Sequence, residues 1–153
     1  MKTVIIGSTS PQFHDTKGKM PRVICPFKFV IVNDGNEDYM IIFFPYETLE
    51  YHSQAVQVFM GKTGKEKVVA KGGQQMIFDS VNNIIHVFEV SKLGWPEREA
   101  VIAFLKDSWP NCKISFSDQK QELMKETPAT FDVEKYNKIL SGIPELGFFK
   151  ELQ

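Results

Sequence analysis

The chain has 153 residues, of which 42% are hydrophobic and 24% are charged, as is typical of one globular domain. Its formal net charge of -1 argues against a surface that binds nucleic acid or anionic membranes as a whole. No apolar run approaches the roughly 20 residues of a membrane span, and the run at 4–6 is too short for a signal-peptide core. We therefore expect a cytoplasmic protein with neither a nucleic-acid nor a membrane partner.

Cysteine and histidine are few and scattered along the chain. Cys25 and Cys112 do not make a disulfide framework, and we interpret them as thiols of a reducing compartment. The three histidines, His14, His52 and His86, show no spacing typical of metal ligands. The sequence therefore predicts no metal site and no cofactor.

Strand patterns dominate the first part of the chain. Runs of apolar, β-branched and aromatic residues predict strands over 4–6, 27–32 and 39–44. Asp34-Gly35 separates the second run from the third, which indicates a β-hairpin. The polar segment 7–26 contains three prolines, so it is predicted to be a loop.

A first helix is predicted over 48–60. Val56, Phe59 and Met60 share one face of it, with Ser53 and Ala55 near that face, and Gly61 is a typical helix stop. The segment that follows, Gly61-Lys62-Thr63-Gly64-Lys65, has a superficial likeness to a phosphate-binding loop. It lacks the required spacing and follows a helix instead of a strand, so we interpret it as a solvated turn.

The later segments predict further strands and a second helix. Short apolar runs predict strands at 68–70, 76–78, 84–90 and 113–116, and Gly72-Gly73 is interpreted as a break between the first two. Pro96 is predicted to be the first residue of a helix whose apolar face holds Ala100, Val101, Phe104 and Leu105. Asp132 can cap a last short helix that reaches Ile139.

This order of elements predicts one α/β (α+β) domain over 1–153. Its architecture would be a mixed sheet of about six strands flanked by two main helices, plus a short C-terminal helix. Hairpins are too frequent for a doubly wound nucleotide-binding fold, and no Gly-x-Gly-x-x-Gly motif is present.

Three places carry residues that suit an anionic ligand. His52 lies early in the first predicted helix, where free backbone N–H groups attract an anion and an imidazole can act as a general base. Lys28 interrupts an apolar strand, and the turn at Ser91 offers a hydroxyl and amides to an oxyanion. Each also has an ordinary interpretation: a half-packed helical histidine, a solvent-facing lysine and a connecting turn.

Several short motifs occur together in a characteristic order. They are Phe27-Lys28-Phe29-Val30, Glu50-Tyr51-His52, Gly72-Gly73, Ile85-His86-Val87-Phe88, Ser91 and Trp109-Pro110-Asn111. In order and near-spacing the set resembles the small protein phosphohistidine phosphatases, the janus–ocnus family. The similarity covers about residues 27–117, and the N-terminal loop and the C-terminal helical tail lie outside it.

The resemblance implies a metal-independent phosphatase that removes phosphate from phosphohistidine on a protein or peptide. The family's catalytic histidine matches His52, which would act as a general base or as a nucleophile. Its phosphate-binding lysine matches Lys28. The rest of the matching anion cradle lies at Tyr51, Ser53, Ser91 and Leu93.

Two positions depart from the family pattern. The family has arginines at the positions of Phe44 and Gln75, and an arginine fork binds phosphate far better than either residue here. A non-catalytic protein that binds phosphate or a peptide on the same fold is therefore an alternative. A third hypothesis, another phosphotransfer enzyme, would need His86 close to His52. The oligomeric state is left open.

Overall fold

The computed structural model describes residues 1–6, 27–43, 51–79 and 84–117. These contain six strands and two helices: β1 (Lys2–Ile6), β2 (Phe27–Asn33), β3 (Asp38–Phe43), α1 (His52–Thr63), β4 (Val69–Asp79), β5 (Ile84–Phe88), α2 (Arg98–Ser108) and β6 (Lys113–Ser117). The predicted loop over 7–26 and the predicted C-terminal helix lie outside the described residues.

The strands form one mixed sheet in the order β1-β3-β2-β4-β5-β6. The four inner strands pair antiparallel, whereas the two edge strands, β1 and β6, each pair parallel to their neighbour. At the β2–β3 hairpin the Asp34 carboxylate accepts hydrogen bonds from the N–H groups of Asn36 and Glu37, each at 2.8 Å. The predicted α/β architecture with a mixed six-stranded sheet and two helices is confirmed.

The two helices lie on opposite faces of the sheet. Successive strand residues point to opposite sides, and the two sets of side chains pack against different helices. Alternate residues of β2 pack with α2 in one core, which includes Phe27, Phe29, Ile31, Val101, Phe104 and Leu105. The intervening residues pack with α1 in a second core, which includes Val30, Val32, Tyr39, Ala55 and Phe59. Lys28 alternates with the first set, so it lies on the sheet face that carries α1.

Two glycine-based predictions were wrong. Gly72-Gly73 does not separate two strands, because β4 runs through it and Gly73 pairs with Val30 of β2. Gly61 does not end α1 either. The helix continues to Thr63, and Gly64 takes the left-handed conformation that terminates it, with φ at 70°.

The predicted helix starts also need correction. Helix α1 begins at His52 and not at residue 48, because Tyr51 is extended, with φ -102° and ψ 147°. Helix α2 begins at Arg98 after Glu97, so Pro96 precedes the helix instead of opening it. The predicted face of α1 does lie at the core: Ala55 and Phe59 are buried, and Val56 packs against the same cluster. Strand β5 ends at Phe88, two residues before the predicted end at residue 90.

Cys112 is buried and is not disulfide-bonded among the described residues, whereas Cys25 lies outside them. Within the same ranges, no helix is long and apolar enough to cross a membrane. The described histidine, cysteine and acidic side chains also form no group of three that could hold a metal ion.

Candidate active site

The first turn of α1 leaves backbone donors open. The Tyr51 carbonyl accepts the N–H groups of Gln54 and Ala55, at 3.0 and 3.3 Å, and the Gln54 side chain accepts the Tyr51 N–H at 2.9 Å. The N–H groups of His52 and Ser53 have no acceptor within the described residues. No acidic residue lies in this turn. An anion placed here would meet two free amides and the positive end of the helix dipole.

The imidazole of His52 is held in one orientation. Its Nε2 lies 3.1 Å from the carbonyl oxygen of Gln74. A carbonyl oxygen only accepts, so Nε2 carries the hydrogen and Nδ1 carries the lone pair in the neutral ring. Phe43 meets the ring edge-on, with centroids 5.4 Å apart and planes at 88°. The Nδ1 edge therefore faces away from β4.

The protonation state of His52 follows from the same surroundings. Burial of the ring lowers the pKa of His52 below its usual value of 6.5, and the positive charge of Lys28 lowers it further. The hydrogen bond to Gln74 acts in the opposite direction. The histidine is therefore a neutral imidazole at pH 7, with an unprotonated Nδ1 that can accept a proton or attack an electrophile.

Gly73 makes this packing possible. A Cβ atom at Gly73 would lie 2.6 Å from Cδ2 of His52, 2.6 Å from the carbonyl oxygen of Phe29 and 3.2 Å from Oγ of Ser91. Only a glycine allows both side chains to approach the β4 backbone so closely. Sequence reasoning assigned the glycine pair to a strand break and missed this role, which depends on residues distant in the chain.

The turn that follows β5 is fastened to β4 at the same glycine. The Ser91 N–H donates to the Gly73 carbonyl at 2.9 Å, and the Gly73 N–H donates to the Gly94 carbonyl at 3.2 Å. Ser91 Oγ accepts the Leu93 N–H at 3.1 Å. The amide of Leu93 is thus already used, so Leu93 can contribute its side chain to an anion cradle but not this donor. The Ser91 hydroxyl keeps its own hydrogen to donate.

A cavity of about 300 Å³ lies between the start of α1 and this turn. Its lining is formed by Tyr51, His52, Ser53, Lys92 and Leu93. That volume is at the small end of the range for ligand sites. Tyr51 is exposed at its edge. Lys92, in the same turn as Ser91 and Leu93, adds a positive charge to the lining.

A polar strip extends beside the cavity on the same sheet face. Lys28 lies between Phe43 and Gln75 in the strand register. Gln75 Nε2 donates to Glu89 Oε2 at 2.6 Å, and Glu89 takes a left-handed conformation with φ at 52°. Gln75, at one of the two positions where the family that the sequence resembles has an arginine, is therefore an amide bonded to a carboxylate. The other, Phe44, lies outside the described residues. No local sequence pattern indicated Glu89.

The predicted site residues are thus brought together to different degrees. Tyr51, His52, Ser53 and Leu93 share the cavity wall. Ser91 and Lys28 lie beside it, through the contact of Ser91 at Gly73 and the charge of Lys28 at the His52 ring.

His86 is not part of this group. It is buried and pairs with Ile77 of β4, which lies three residues beyond Gln74. Three strand residues span about 10 Å, so His86 is too far along the sheet to assist His52 directly. The third hypothesis loses its support.

No protein-family model matches the chain, and a search of the curated proteins found no match either. The likeness to phosphohistidine phosphatases therefore depends on the motifs quoted above. A function for this site is accordingly a proposal.

Proposed function

We propose that the protein is a metal-independent phosphatase that hydrolyses phosphohistidine on a protein or peptide, with His52 as the catalytic residue. The observation that carries this proposal is the His52 imidazole. Its Nε2 is oriented by the Gln74 carbonyl, burial lowers its pKa, and it lies beside two amides that have no acceptor among the described residues. A cytoplasmic location belongs to the same proposal.

The site would work by positioning the phosphoryl group and neutralising its charge. Phosphate oxygens accept hydrogen bonds from the amides of His52 and Ser53, and Lys28 and Lys92 supply positive charge. Nδ1 of His52 takes a proton from water as the water oxygen attacks phosphorus. The P–N bond breaks, and the released histidine nitrogen takes up a proton. His52 gives up the proton it took from water and returns to its neutral form. The Gln74 carbonyl stabilises the imidazolium that forms meanwhile.

Direct attack by Nδ1 on phosphorus is the other route. It breaks the P–N bond first and forms a phosphoenzyme, which water then hydrolyses. The same orientation of the imidazole serves both routes.

The hydrogen bond from Gln75 to Glu89 favours a second candidate, a non-catalytic protein that binds phosphorylated peptides. A carboxylate beside an anion site weakens phosphate binding, and the neutral amide of Gln75 cannot replace an arginine fork. Recognition of an extended peptide would depend less on the phosphate alone.

Substitution of His52 tests the catalytic proposal. The substrate is a phosphohistidine peptide, assayed in EDTA without added metal. We expect His52→Ala to lower kcat by about 10²–10⁴, the usual contribution of a general base, and by more if His52 is the nucleophile. His52→Gln is the matched variant, because its amide can still donate to the Gln74 carbonyl but cannot act as a base.

Thermal melts of both variants separate chemistry from folding. His52→Ala loses one hydrogen bond and an aromatic contact, at a cost of about 1–2 kcal/mol, and His52→Gln should lose less. Unchanged hydrolysis in both variants would exclude His52 from catalysis. Activity that disappears in EDTA and returns with a divalent ion would contradict metal independence. A folded wild-type protein that binds the peptide without hydrolysing it would favour the binding module.

A further inference from the structure

Glu89 combines an uncommon backbone conformation with a negative charge beside a site that we propose binds an anion. It follows the last residue of β5 and takes φ at 52°, which is uncommon for a residue other than glycine, asparagine or aspartate. Its side chain is half-buried, and one carboxylate oxygen accepts from Gln75. In the described part of the chain, no lysine or arginine pairs with it.

The carboxylate lies at the margin of the candidate active site. Gln75, which holds it, is the cross-strand neighbour of Lys28 and directly follows Gln74, the partner of His52. Two residues beyond Glu89, Ser91 contacts the same stretch of β4 at Gly73. A substrate whose phosphoryl group occupies the cavity and whose chain runs toward Gln75 would pass Glu89.

A carboxylate in that position repels the phosphate and attracts a cation. The two effects balance when the ligand carries both charges, a phosphoryl group and a positive group nearby. Because Gln75 fixes one oxygen and leaves the other without a partner among the described residues, the carboxylate is oriented before any ligand arrives. Such preorganisation lowers the entropy cost of pairing with a flexible side chain.

We propose that Glu89 is a specificity-determining residue that selects phosphopeptides with a lysine or arginine next to the phosphorylated residue. This inference rests on the proposed function, since it assumes that the phosphoryl group binds in the cavity at His52. It adds the class of substrate: a peptide with a basic flank and not a neutral or acidic one.

Binding of two matched peptides tests the inference. Each contains a non-hydrolysable phosphohistidine analogue, flanked in one peptide by arginine and in the other by citrulline, which has nearly the same shape without the charge. We expect the wild-type protein to bind the arginine peptide about five-fold more tightly at low salt, as one partly exposed ion pair allows. The preference should shrink as salt is added.

Glu89→Gln should abolish this preference, because glutamine keeps an oxygen for Gln75 but has no charge. Glu66→Gln is the matched control. It removes the same charge beyond the far end of α1, which is about 18 Å long, and should leave the preference intact. Equal affinities in the wild type, or an unchanged preference in Glu89→Gln, would overturn the inference. Failure to bind either peptide would overturn it together with the proposed function.

Hydrolysis of the corresponding phosphohistidine peptides, measured on the same samples, separates the two proposals. His52-dependent hydrolysis without a flank preference would refute the role of Glu89 and leave the phosphatase intact. A flank preference that depends on Glu89, without hydrolysis, would support the selection of basic peptides and refute the enzyme.

Discussion

The two ends of α1 differ in how their backbone and charged groups are satisfied. At the C-terminal end Gly64 takes the left-handed cap, Thr63 Oγ donates to the Phe59 carbonyl at 2.6 Å, and Lys65 pairs with Asp34 at 2.8 Å. At the N-terminal end the amides of His52 and Ser53 have no acceptor within the described part of the chain. One end is completed by the protein itself, and the other is completed by a ligand under our proposal.

The difference shows how a helix can serve both stability and binding. Lys65 pairs with Asp34 in the hairpin turn and lies 5.4 Å from the ring centroid of Tyr39 in β3. Both contacts hold the C-terminal end of α1 to the β2–β3 hairpin. The open N-terminal end keeps donors that a capping side chain would otherwise occupy. Substitutions at the two ends should therefore have different effects, on function at one and on folding at the other.

After the substitutions of His52 itself, the largest effect is expected from an added methyl group at Gly73. Gly73→Ala would place Cβ 2.6 Å from the His52 ring and from a backbone oxygen, so the ring has to move. We expect a loss of about 1–3 kcal/mol in the free energy of unfolding. Hydrolysis should fall at least tenfold, roughly the penalty for a misplaced catalytic group. Denaturant melts and steady-state kinetics measure both.

Gly61→Ala is the control for the same change of residue type. Gly61 lies inside α1 with open space around its Cα, so alanine should stabilise the helix by about 1 kcal/mol and leave activity unchanged. Wild-type activity in Gly73→Ala would mean that the position of the His52 ring does not matter for hydrolysis.

The pH dependence of activity and of stability should distinguish the two ends of α1. Because burial keeps the pKa of His52 below 6.5, the rate should be constant through neutral pH and decline below pH 6.5 as Nδ1 is protonated. Stability should decline over the same interval, since the unfolded chain binds a proton there that the folded chain does not. A pH–rate profile, with a melting series on wild type and His52→Gln, tests this.

The acidic groups at the hairpin should respond in a lower interval. The hydrogen bond from Lys65 holds the pKa of Asp34 well below its usual 3.8, and neighbouring groups lower the pKa of Glu37 and Asp38. Their contribution to the free energy of unfolding is fully present above the usual pKa values of these carboxyl groups and is lost as pH falls below those values. A stability decline near pH 6 that persists in His52→Gln would contradict the assignment to His52.

The smallest effect is expected from Lys65→Met. Methionine keeps an apolar stem near Tyr39 but removes the ion pair, so the pKa of Asp34 should rise toward 3.8. The pair is partly buried, with the side chains of Lys65 and Asp34 28% and 7% exposed, so its loss should lower stability modestly, and hydrolysis should not change. An NMR titration of the Asp34 carboxyl group measures the pKa. Reduced hydrolysis in this variant would show that the two ends of α1 are coupled.

Local patterns were sufficient for much of the fold. The Asp34-Gly35 turn predicted the hairpin because its backbone requirements are local, and Val101, Phe104 and Leu105 predicted the buried face of α2 from spacing alone. The confirmed sheet and helices follow from such short-range signals.

The failures that concern the site occur where distant segments decide the conformation. Gly72-Gly73 resembles a strand break in sequence, yet the pairing with β2 and the contacts of His52 require glycine within a continuous strand. No local sequence pattern predicts the left-handed conformation of Glu89 either. The sequence could nominate His52, but which nitrogen carries its proton depends on Gln74, which lies far along the chain.

The glycine contact at β4 also has a consequence for how the protein folds. The site joins α1, β4 and the turn after β5, so it exists only after strands remote in sequence have paired. Such non-local pairing is slow compared with helix formation. If the site binds an anion as we propose, that binding should therefore appear late during refolding, together with the final cooperative step. A ligand that binds only the native state would raise the midpoint of thermal unfolding in proportion to the logarithm of its concentration.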